Sequence, residues 1–174
     1  KEIDDCAFMG CNDLKIVDFP KNSKLKILGE NSFSADHINH MTLPSCIEQF
    51  VNEWCLSIDH IEILECEEVN IKHYENTEII LTKSNLNSDD FDTLLYAPYN
   101  IVDFVVPSFI KYIRPYAFNC CTKLKKIEFD NDSQLVSIGK SAFLADVSLL
   151  SIKIPPHVQK IENCTFKECS SLQI

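Results

Sequence analysis

Phenylalanines 8, 33, 118, 143 and 166 stand 23 to 25 residues apart wherever two are consecutive in the series. The surroundings repeat with them. The template is Ile, five residues on to Phe, three to Cys, three to Leu, three to Ile and two to an apolar residue. Ile113, Phe118, Cys121, Leu124, Ile127 and Phe129 meet it in full. Ile138, Phe143, Leu149, Ile152 and Ile154 meet it with Asp146 in the Cys place. The chain opens with Ile3, Phe8, Cys11, Leu14, Val17 and Phe19, and closes with Ile161, Phe166, Cys169 and Leu172. Leu28 and Phe33 start a further copy, with Asp36 in the Cys place, that continues one residue short through Ile38, Met41 and Leu43. Phe50 and Cys55 form a worn copy, with Cys55 in the Phe place. A period of this length requires a stack of like units, because no single unit of this size can bury its own apolar face.

The period and the L-x-x-L-x-L pattern of "LKKIEF" and "LLSIKI" predict a leucine-rich-repeat solenoid. Each coil contributes one short strand whose alternate residues, such as Ile127 and Phe129, point inward. Stacking at about 4.8 Å makes a short parallel β-sheet on one face and leaves loops or 3-10 turns on the other. It also lays the phenylalanines over one another as an aromatic spine. One domain over residues 1–174 is expected, with about seven coils, regular over 1–63 and 93–174. Between them, 64–92 fits no copy. Alternation in "EVNIKHYENTEIILT" and the polar "KSNLNSDD" predict an irregular β-hairpin insertion there. The chain starts and stops inside a repeat and is expected to be a piece of a longer array.

Charge and residue usage narrow the function. A net charge of -10 argues against nucleic acid or an anionic membrane as partner. Three glycines cannot build a phosphate-cradling loop. The paired histidines of "DHINH", His37 and His40, have no H-E-x-x-H context, and "NLNSDDFD" lacks the Gly and Glu of a calcium loop. No cofactor, metal or catalytic residue is expected. The C-x4-C pairs at both ends belong to the repeat, and structural zinc needs four converging ligands. Nine cysteines cannot all pair within one chain. Cys121 and Cys169 share a register but lie two coils, roughly 10 Å, apart, beyond reach of a disulfide. The coil register leaves Cys46, Cys55 and Cys66 unassigned. Asn131 in "NDS" and Asn163 in "NCT" are glycosylation sequons.

The grammar of "VVPSFIKYIRPYAFNCCTKLKKI" and "IPPHVQKIENCTFKECSSL" resembles the BspA-like leucine-rich repeats of bacterial and protist surface proteins. The segment "DTLLYAPYNIVDFVVP" resembles the strand-rich element those proteins insert before the coils resume. The resemblance implies a recognition or adhesion module at the cell surface or secreted, binding an extracellular matrix or host cell-surface protein. The unpaired thiols favour the alternative, an intracellular scaffold for protein partners.

Either way a binding face can be assigned. In L-x-x-I-x-F the third and fifth residues face outward. That predicts one exposed strip of Ile16, Asp18, His40, Thr42, His60, Glu62, Asp103, Val105, Lys126, Glu128, Ser151 and Lys153. The rival is a contact on the insertion near residues 72 to 92, since long insertions often carry function.

Overall fold

The coils contribute short strands, and each coil strand finds a parallel partner in an adjacent coil. A computed structural model describes residues 1–34, 37–55 and 57–173. The first three coils carry β1 (Glu2–Ile3), β2 (Ile16–Val17), β3 (Ile27–Leu28), β4 (Ile38–Pro44), β5 (Gln49–Phe50) and β6 (Ile58–Leu64). An insertion follows with β7 (Ile71–His73) and β8 (Ile80–Thr82). Four more coils carry β9 (Thr93–Tyr96), β10 (Asp103–Val106), β11 (Tyr112–Ile113), β12 (Lys126–Phe129), β13 (Ser137–Ile138) and β14 (Lys160–Ile161). The predicted front sheet is present as the parallel ladders β2-β4-β6 and β10-β12, the latter extended by a bridge from Lys126 to Ser151. A second parallel ladder, β1-β3-β5 and β9-β11-β13-β14, runs along another side. No helix occurs among the described residues, so none there is long and apolar enough to cross a membrane.

The far side is built from consecutive tight turns that are themselves laddered. Alternate N–H groups donate within the turn: Ala117 to Arg114 O at 3.2 Å, Asn119 to Tyr116 O at 3.0 Å. The intervening ones donate to the following coil: Tyr116 to Lys140 O at 3.1 Å, Phe118 to Ala142 O and Cys120 to Leu144 O at 2.8 Å. Aiming every second N–H along the stack requires left-handed backbone two residues before and after the Phe. Tyr116 and Cys120 have φ of 61° and 60°, Ser141 and Ala145 54° and 62°, Cys164 and Glu168 58° and 64°. Among the described residues glycine fills only one such site, Gly10 at 74°. The other coils hold a conformation that side chains disfavour, through hydrogen bonds on both flanks. Glycine instead marks close coil contact. A Cβ on Gly139 would come within 2.5 Å of Pro115 N.

The aromatic spine forms as the period predicts. Phe8 stacks on Phe33 with ring centroids 5.0 Å apart, Phe118 on Phe143 at 4.8 Å, and Phe143 on Phe166 at 5.4 Å. Cys55 takes the Phe place in the third coil, bridging to Phe33. Asp36 lies outside the described residues.

The insertion is a partition. β7 and β8 pair antiparallel, and β8 pairs antiparallel with β9. Ile80, Leu95 and Tyr96 face a core shared with Phe33, Phe50 and Trp54. Ile79, Leu81 and Leu94 face a second core with Phe118 and Phe143. Strand alternation sends neighbours to opposite cores, and a bulge at Leu95 places it beside Tyr96 on one side. Strands buried on both faces explain the apolar runs "EIIL" and "LLYA".

Among the described residues no backbone ladder joins the third coil to the fourth, and the exposed carbonyls are met by side chains. Arg114 Nη2 donates to Phe50 O. Tyr96 OH donates to Ile58 O at 3.2 Å, and His73 Nε2 to Ile61 O at 2.9 Å. Asn119 Nδ2 also reaches Glu53 Oε1 at 2.7 Å.

The Cys place has a role that its occupants share unequally. Cys169 Sγ donates to Phe143 O at 3.0 Å, and Cys121 Sγ to Pro98 O at 3.5 Å, each thiol satisfying a carbonyl of the preceding coil. Asp146 sits between them, fully buried, and neither carboxyl oxygen has a partner. Burial pushes this carboxyl up to about 8.

Two predictions follow from this packing. Phe143→Ala should cost about 3–5 kcal/mol in equilibrium unfolding, because the cavity opens between two stacked rings with little room to collapse. A loss under about 1 kcal/mol would show that the stack is not core. The folded state favours protonated Asp146, so its ionisation penalty is absent below the unfolded pKa near 4. It grows by about 1.4 kcal/mol per pH unit up to about 8. Asp146→Asn and Asp146→Cys should therefore raise Tm at pH 7.5 more than at pH 4.5. A pH-independent difference would contradict the assignment.

Candidate protein-recognition face

Backbone ladders hold the front face, and their register decides which side chains stand in rows. Ile16, His40 and His60 occupy one register position on β2, β4 and β6. Ile16 is 61% exposed, and the two imidazoles stack at 5.5 Å. An acid flanks each of them, Asp18 Oδ1 3.7 Å from His40 Nε2 and Glu78 Oε1 3.2 Å from His60 Nδ1. Glu62 is exposed in the next row, and so is Asp18.

Thr42 departs from the expected exposure. It is buried, because β2 ends at Val17 and the Thr42 hydroxyl takes over the ladder. Its Oγ1 accepts from Phe19 N at 2.6 Å and donates to Phe19 O at 3.4 Å. A hydroxyl that substitutes for a missing strand partner leaves the binding surface.

On the later coils Asp103 pairs in register with Lys126, and Lys126 with Ser151. Val105, 48% exposed, pairs with Glu128. Lys153 is exposed two residues beyond Ser151. Lys126 Nζ lies 2.9 Å from Glu128 Oε1, and this contact raises the lysine pKa.

These residues make two patches and not one strip. The turn joining β7 to β8 comes between them: Glu78 reaches His60, while Tyr74 packs edge-on against Phe104 at 6.3 Å. Tyr74 and Glu78 thus belong to the face, and the repeat period could not have pointed to them. A third group borders the first patch. His37 Nε2 lies 2.8 Å from Asp59 Oδ2, and Tyr99 OH donates to Asp59 Oδ1 at 2.9 Å. Burial opposes the Asp59 charge, but the bonds from His37 and Tyr99 outweigh it and lower its pKa. His37 and His40 serve different acids and do not converge.

Other singled-out stretches are accounted for structurally. In "NLNSDDFD", Asp92 Oδ1 accepts from Ser84 N at 3.0 Å and Oδ2 from Ser84 Oγ at 2.8 Å, closing the loop between β8 and β9. Of "ECEE", Glu68 pairs with Lys26, which also meets Glu48 at 2.9 Å. Asn131 and Asn163 are exposed.

Comparison with known proteins agrees with this architecture. The model of the BspA type leucine rich repeat region (6 copies) matches residues 1–91 and 92–174. The crystal structure of the pneumococcal vaccine antigen PcpA is similar with a TM-score of 0.73 and 23% identity, over 90% of this chain and 39% of that one. A leucine rich cell surface protein from Faecalibacterium prausnitzii A2-165 is similar with a TM-score of 0.61 and 17% identity, over 98% and 61%. The chain thus spans less than two thirds of either, and at these identities the likeness is one of fold. No curated protein matches the chain. Matched over both halves, and folded as a stack whose coils repeat the same Ile, Phe and Leu positions, the chain belongs to the BspA-type leucine-rich-repeat family.

Proposed function

We propose that this chain is a non-enzymatic protein-recognition module of a cell-surface or secreted protein. It engages an extracellular matrix or host cell-surface protein through its front face. The observation that carries this reading is the rigid presentation of exposed side chains in register. Ile16, His40 and His60 form one row, and Asp103, Lys126 and Ser151 another, each anchored by a backbone ladder. Preordered rows lose little entropy on binding, which favours a protein ligand of modest contact area. Charges of both signs beside exposed Ile16 and Val105 suit a protein surface better than a polyanion. The pneumococcal relative is a vaccine antigen and the Faecalibacterium relative a cell surface protein, which supports a surface role. Nine free cysteines favour the second reading, an intracellular scaffold with the same binding face. Surface labelling of the producing cell separates the two locations.

The face is tested by binding to immobilised matrix proteins and to cells. Lys126→Glu with Lys153→Glu should weaken binding tenfold or more, whereas deleting residues 85–90 from the loop after β8 should leave it within about twofold. Intact binding in the double variant together with loss on deletion would move the site to the insertion.

A further inference from the structure

The ladder between β4 and β6 keeps a constant offset, from Ile38 opposite Ile58 to Pro44 opposite Leu64. The two coils stay in contact past its end. Ser45 N donates to Leu64 O at 2.8 Å, and Cys66 N donates to Ser45 Oγ at 2.9 Å. The Ser45 hydroxyl in turn donates to Glu68 O at 3.2 Å. Ser45 O accepts from Asn70 N at 2.8 Å, so residues 65–69 loop out beside Ser45, and Cys66 stands at the start of that loop next to Cys46. A disulfide needs Cα atoms roughly 4.4–6.8 Å apart, a span that residues of adjacent coils stacked at about 4.8 Å can meet.

The two side chains share one site. Both line one surface cleft of about 600 Å³, walled by Lys26 and Glu68 among others. Burial raises the Cys46 thiol, and the facing Cys66 raises it further, as expected of direct neighbours. Cys46 is 6% exposed and its Sγ points to Leu25 O at 3.6 Å, whereas Cys66 is half-exposed. Among the described residues the regular coils place no other pair this way. Asp146 separates Cys121 from Cys169, Asn31 follows Cys6, and Ser141 precedes Cys164.

We propose that Cys46 and Cys66 are a redox site that closes into an inter-coil disulfide in the presence of a low-molecular-weight disulfide. The Cys66 thiolate, the accessible one, attacks one sulfur of the small disulfide and releases the other half as a thiolate. Cys46 gives its proton to solvent, attacks the Cys66 sulfur and expels the second small thiolate. Two protein thiols are oxidised to one disulfide while one small disulfide is reduced to two thiols. The new bond fastens the second coil to the third at the edge where the regular stack ends.

The test uses the folded chain and oxidised glutathione. After incubation, free thiols are alkylated and the chain is digested without reduction for mass spectrometry. A Cys46 to Cys66 linked peptide is expected, with a rise in Tm of roughly 5–10 °C that dithiothreitol reverses. Cys66→Ser should abolish both, and Cys46→Ser should trap glutathione on Cys66. A lasting glutathione adduct on Cys66 of the unsubstituted chain, with Cys46 still open to alkylation, would overturn the proposal. So would failure of Cys66 to react while the melting transition stays intact.

Discussion

Parallel backbone stacking at one strand spacing governs this molecule. Each coil donates to the next not only from its strands but from alternate N–H groups of its turns, as Tyr116, Phe118 and Cys120 do. Once that ladder exists, equivalent residues of successive coils lie directly over one another. A Phe must then sit on a Phe, and a buried thiol must serve a carbonyl of the coil before it. The same rule explains the positive φ of Cys6, Asn31, Tyr116, Cys120, Ser141 and Ala145, each of which donates its N–H to the next coil. The strain of each left-handed residue is offset by hydrogen bonds that only that conformation can make.

Where the ladder stops, its donors have to be replaced. Between the third and fourth coils the carbonyls of Phe50, Ile58 and Ile61 would be left bare, and a buried unpaired acceptor costs about 1–3 kcal/mol. Arg114, Tyr96 and His73 supply donors from later parts of the chain. The choice is costly for the arginine, whose pKa burial lowers. The same break lets β8 and β9 stand as a wall between two cores. It also brings the turn after β7 onto the front face, so the interruption of the stack divides the recognition surface.

Substitutions at repeat positions show what the stack tolerates. Asp146 keeps the volume of a cysteine approximately but not its donor, and the result is a buried carboxyl without a partner. Thr42 works in the opposite sense. Its hydroxyl bonds both ways with Phe19, completing a strand that the second residue of β2 had already ended.

Much of the fold was legible in the residues because a short-period stack is a local rule applied repeatedly. Phe118, Phe143 and Phe166 announce their stacking by spacing alone, and Ile127 and Phe129 their inward orientation by alternation. Cys55 in the Phe place and the hairpin within residues 64–92 were equally readable. Tertiary structure decided everything that joins unlike parts of the chain. The donation from Arg114 to Phe50 spans sixty-four residues. Tyr74 and Glu78 enter the face from an aperiodic segment, and Thr42 leaves it by bonding to a neighbouring coil. A period can specify only what each coil does to its like neighbour. Contacts across the break depend on where the insertion carries the chain, and that is set by packing two cores against one wall.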